Sequence, residues 1–99
     1  MAVKSLRWSA SASGENGKLT YYLLSEWGEK VALRVSDQID KTAERIQQTP
    51  DQFPLLSEHK NVRRAVISPQ TSIFFKVYRT EIVIISVFDN RQHPKKRKL

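Results

Sequence analysis

The chain has 99 residues, 39% of them hydrophobic and 27% charged, with no cysteine. That length suits one domain with a modest core, and the missing cysteines exclude a disulfide framework and a thiolate metal site. The net charge of +7 is uneven: residues 1–50 hold seven Lys/Arg against six Asp/Glu, and residues 51–99 ten against four.

A basic C-terminal half suits a polyanion or an acidic protein surface, and serves equally as a plain solubilising surface. The longest apolar run falls far short of the roughly 20 residues of a membrane span. The opening MAVKSLRW has no hydrophobic signal core. The expectation is a soluble cytoplasmic protein with no membrane partner.

In chain order, residues 3–8 read as a short strand with Leu6 and Trp8 on one face. Ser9 or Ser11 then suits a helix N-cap, because a hydroxyl accepts from the orphan N–H groups of a first turn. Gly14 and Gly17 weaken that first helix, each by about 1 kcal/mol relative to alanine. From Leu19 the helical signal recovers, with Leu19, Tyr22, Leu23 and Trp27 at helical spacing and Gly28 as the break. The second helix, residues 29–48, carries an apolar stripe of Val31, Val35, Ile39, Ala43 and Ile46. Thr49-Pro50 ends it, since a residue before proline is pushed out of the α region.

Residues 51–61 form a connector anchored by Phe53, Leu55 and Leu56. Three strand-like runs follow, at residues 62–68, 72–78 and 81–89, with links short enough for an antiparallel meander. Ile82, Val83, Ile84, Ile85, Val87 and Phe88 make the third run apolar on both pleat faces, which places it in the middle of a sheet. The division is one domain over residues 1–94 and a basic tail over 95–99, where four cations stand in a row. The expected fold is α+β: an N-terminal strand paired beside the last, a helical hairpin, and a three-stranded antiparallel meander completing a twisted sheet.

That element order carries three further signatures. Asn61-Val62-Arg63-Arg64 opens a strand, Ile73-Phe74-Phe75-Lys76-Val77 forms the next, and the last ends in Asp89-Asn90-Arg91-Gln92-His93-Pro94. Upstream stand Ile46 to Pro50 and Phe53-Pro54. Together these resemble the RelE/ParE superfamily of bacterial type II toxin–antitoxin toxins, ParE-like more than RelE-like. The resemblance implies a growth-inhibiting toxin that a cognate antitoxin wraps and silences. ParE-like members bind DNA gyrase and need a recognition surface; RelE-like members are ribosome-dependent mRNA endonucleases and need an acid–base set and cations for the phosphorane.

On the resemblance, Arg63 matches a basic strand position of the nucleases, and Arg91 an arginine after their last strand. Ser72 stands where they carry an arginine, and no aromatic residue follows Tyr78 except Phe88. The first reading is therefore a gyrase-binding toxin whose target or antitoxin meets Arg63, Arg64, Lys76, Arg79, Arg91 and the hairpin. The alternative is a nuclease with Arg63 and Arg91 on the phosphate and His93 as the acid, a histidine being suited to proton transfer near neutrality. A third reading is an inactive binding protein of the same fold. No cofactor is implied, and the spacing of His59, Asp89 and His93 follows no metal-ligand pattern. Arg63 and Arg64 are adjacent on a strand and so face opposite ways, and an ion pair with Asp89 or Glu81 is the competing role for each arginine.

Overall fold

Ser9 opens the helical part as an N-cap, its Oγ accepting from the Ala12 N–H at 3.0 Å. The computed structural model describes residues 3–59 and 61–92. Strand β1 (Ser5–Trp8) precedes helices α1 (Ala10–Glu26) and α2 (Glu29–Gln48), a single 3-10 turn at Pro50–Gln52, and strands β2 (Val62–Val66), β3 (Thr71–Val77) and β4 (Glu81–Asp89). The first strand is shorter than the expected 3–8. The second stops before Ile67 and Ser68, because both of their N–H groups turn to the Thr71 carbonyl in the β2–β3 link.

Gly14 and Gly17 do not interrupt α1, which runs unbroken through both. Tertiary burial of Ala12, Leu19 and Leu23 outweighs the local cost of the glycines. A Cβ built at Gly14 or Gly17 meets nothing within 4 Å, so neither glycine is required by the packing. Gly14→Ala and Gly17→Ala are each expected to raise stability, by about 0.5–1 kcal/mol, in urea unfolding. Gly28 differs: its φ of 91° lies in the left-handed region, which makes it the joint of the hairpin.

The sheet order is β1-β4-β3-β2, with β1 parallel to β4 and the other two pairings antiparallel. The doubly apolar β4 is thus interior. A bulge opposite Phe74 and Phe75 breaks its simple alternation: Phe75 pairs with Ile84 and Phe74 with Ser86, leaving Ile85 as the extra residue. The shift keeps Ile82 and Ile84 before it, and Val87 and Asp89 after it, on the face that α1 and α2 cover. Without it Ser86 would enter the core. Beside the bulge, the Val87 N–H donates to Glu15 Oε1 of α1 at 3.0 Å.

The core lies between the helices and this face. Leu19 and Leu23 of α1 and Val35, Ile39 and Ile46 of α2 pack with Ala65, Ile73, Phe75, Ile82 and Ile84. Phe53 of the connector meets Phe75 edge-on, with centroids 5.7 Å apart and planes at 85°. Among the described residues no helix is long and apolar enough to cross a membrane.

Candidate functional site

The sheet sorts the basic residues by face. Arg63 pairs with Phe75 and so lies on the helix-covered side, whereas Arg64 pairs with Phe74 on the helix-free side. Arg63 Nη1 donates to the Phe53 carbonyl at 2.6 Å and Nη2 sits 3.7 Å from Asp51. Its planar head ties the connector to β2. Arg64 lies over the Phe74 ring at 5.9 Å and donates through Nε to Ser72 Oγ at 3.2 Å. Ser72 is thus a buried acceptor for its cross-strand neighbour.

Lys76 shares the helix-free face with Arg64, diagonal to it across β2 and β3. Around them on that face are Val62, Phe74 and Val83, all buried, and the partly exposed Ser86 and Phe88. Arg79 is exposed in the β3–β4 turn. Glu81, at the start of β4, is engaged by Arg7 at 3.2 Å.

Arg91 lies at the other end of the sheet. Its Nη2 and Nε reach the Asp89 carboxylate at 2.7 and 3.0 Å, a bidentate pair, and its own N–H adds a third bond at 2.9 Å. Thr71 Oγ1 donates to the same carboxylate at 2.6 Å. The Asp89 side chain is fully buried and that of Arg91 is 13% exposed. Burial pushes the Asp89 carboxyl up, but the bonds from Arg91 and Thr71 outweigh it and hold the group below its ordinary value. The bond to Asp89 likewise raises Arg91 against its own burial. Of the two ion pairs anticipated from the sequence, the Asp89 pair forms with Arg91; Glu81 instead pairs with Arg7.

These positions divide rather than converge. Arg63 faces Phe75 and Arg91 adjoins Thr71, and these two residues stand four positions apart along β3, a rise of roughly 14 Å. Arg79 and Arg91 stand at opposite ends of the same strand. His93 lies outside the described residues, as does the tail, and His59 is exposed in the connector. Among the described residues no group of three His, Cys, Asp or Glu side chains is placed to hold a metal. The sequence reading missed Trp27, Tyr22 and Thr71 as partners of Arg91, since contacts between distant elements leave no local pattern.

A family model described as the ParE toxin of type II toxin–antitoxin system, parDE, matches residues 6–94. The chain belongs to the ParE toxin family. Sequence comparison with curated proteins gives no match. Among solved structures, the fold is similar to that in the chromosomal ParDE system of P. aeruginosa, with TM-score 0.76 and 24% identity over 88% of this chain and 96% of that one. It is also similar to a chain of the E. coli DinJ–YafQ toxin–antitoxin complex, with TM-score 0.64 and 10% identity over 92% and 97%. A third likeness is to a YoeB/ParE toxin from Agrobacterium tumefaciens, with TM-score 0.61 and 13% identity over 86% and 96%. At these identities the three likenesses establish a common fold, which this ParE-family chain shares with YafQ- and YoeB-type toxins.

Proposed function

We propose that this ParE-family chain arrests growth by binding DNA gyrase and is silenced by a cognate antitoxin. The observation that carries the reading is the family match over residues 6–94. The geometry of the described residues suits a binding surface. On the helix-free sheet face the described residues place the partly exposed Arg64 and Lys76 beside the partly exposed Ser86 and Phe88, while Glu81 is paired with Arg7 and Asp89 is buried on the opposite side. A base and an acid within reach of one phosphate are what an endonuclease needs; cations beside apolar surface are what a protein or polyanion partner needs. In this reading Arg64, Lys76 and Arg79 meet the target, and Arg63 and Arg91 hold the surface in shape. An antitoxin partner is supported by the E. coli relative in a toxin–antitoxin complex. An acidic, amphipathic antitoxin segment suits the +7 charge.

The test is gyrase supercoiling and DNA-cleavage assays with purified protein. Inhibition with trapped cleavage complexes is expected. Lys76→Glu with Arg79→Glu should weaken it by about tenfold or more, the scale of 1.4 kcal/mol, while thermal unfolding moves little because both are surface changes. Untouched gyrase alongside ribosome-dependent mRNA cleavage would replace this reading with the nuclease one.

A further inference from the structure

Arg91 touches more of the molecule than its ion pair requires. Beyond Asp89 of β4, its Nη2 reaches Thr71 Oγ1 of β3 at 3.4 Å. Its guanidinium lies over the Trp27 ring, 5.7 Å from the centroid. Its backbone carbonyl accepts from Tyr22 Oη at 2.9 Å, and the same Oη accepts from Trp27 Nε1 at 3.4 Å. These contacts close a ring: Arg91 to Trp27, Trp27 to Tyr22, and Tyr22 back to Arg91.

The ring sits where the hairpin is least supported by core. Trp27 is the C-cap of α1, its N–H bonded to the Leu23 carbonyl at 2.8 Å, and the left-handed Gly28 follows. The last buried side chain of α1 is Leu23 and the first of α2 is Ala32; residues 24–30 between them are exposed, and only Val31 packs partly against the core. Trp27 itself remains half exposed, with Arg91 covering one side of the indole. Next to Arg91, Gln92 forms one wall of a surface groove whose other wall is Tyr21, Tyr22 and Ser25 of α1.

We propose that Arg91 is a positioning residue, a latch that holds the hairpin turn and the groove along α1 against the far end of the central strand. The chemistry suits the task. Asp89 and Thr71, both buried, fix the plane of the guanidinium, and a fixed plane can carry an indole on its face. A lysine at this position keeps the charge but offers neither a bidentate pair nor a flat surface. The latch therefore links strand, helix and groove through one planar group, whichever target the protein binds.

The experiment uses the full chain with Trp8→Phe, which leaves Trp27 as the single tryptophan. In Arg91→Lys, acrylamide quenching of Trp27 should rise and the amides of residues 24–27 should exchange about tenfold faster, whereas amides of α2 and β3 follow only the change in global stability. Uniform acceleration across the chain, or unchanged quenching and exchange, would reduce Arg91 to an ordinary buried pair and overturn the proposal. Should Arg91→Lys fail to fold, Trp27→Leu leaves the Asp89 pair intact and gives the second test. There the same local acceleration is expected with little change in thermal midpoint. Parent-like protection of residues 24–26 would contradict the latch.

Discussion

Asp89→Ala is expected to lower the unfolding free energy by about 3–5 kcal/mol, the cost of breaking a buried ion pair from one side. The carboxylate is fully buried and receives bonds from Arg91 Nε, Arg91 Nη2, the Arg91 N–H and Thr71 Oγ1. Removing it leaves a largely buried guanidinium and a buried hydroxyl without their acceptor. The bulge at Ile85 raises the stakes, because it brings Asp89 onto the helix side. The pH dependence has a defined sign. A folded carboxyl held below its unfolded value of about 3.9 contributes stability above that pH, and loses it as the pH falls through the folded value. Urea titrations of parent and Asp89→Asn should therefore show a constant difference above about pH 5 that shrinks on acidification below about pH 4. A difference that stays the same down to pH 2 would contradict the assignment.

Phe75→Ala carries an expected loss of similar size, about 3–5 kcal/mol, for a different reason. Phe75 is wholly buried in the middle of β3, edge-on to Phe53 and facing the helices. Truncation removes a ring from a packed layer and leaves a cavity that the paired strands on both sides cannot close. It also deprives Phe53 of its aromatic neighbour, and Phe53 is the anchor to which Arg63 and Arg45 attach the connector. A fall in the urea midpoint at constant denaturant slope is the expected signature. A loss below about 1 kcal/mol would show that the layer collapses around the gap.

Much of the fold was legible because it is written in local periodicity. Residues 29–48 form α2 with the expected bounds, since an apolar stripe and a following Thr-Pro leave little choice. The doubly apolar β4 is interior, and β1 lies beside it. The first helix was less legible: a propensity argument sees Gly14 and Gly17, but not the burial of Ala12, Leu19 and Leu23 that carries α1 through them. The bulge was hidden for a related reason. Ile85 and Ser86 stand in a run that is apolar on both pleat faces, so nothing local marks an extra residue, and only the pairing with β3 reveals it.

The candidate site was legible in composition and less so in geometry. Adjacent arginines on a strand must face opposite ways, yet nothing local says which way, and the answer comes from Phe53 and Asp51 receiving Arg63 on the helix side. An Arg91–Asp89 pair was among the anticipated roles. Its burial and its contacts with Trp27 and Tyr22 depend on where α1 ends relative to β4, across more than sixty residues of chain. Charge counts locate a basic surface. They do not separate cations that face a partner from those that hold the structure together.

The most direct test of the gyrase account is induction of the protein in bacterial cells without an antitoxin, with mRNA ends and gyrase-linked DNA breaks mapped in the same culture. Arrest of growth with gyrase-linked breaks and intact mRNA ahead of the arrest is the predicted result. Cut mRNA with intact DNA would contradict it and move the chemistry to the nuclease reading, while normal growth with neither lesion would leave a binding protein of toxin fold.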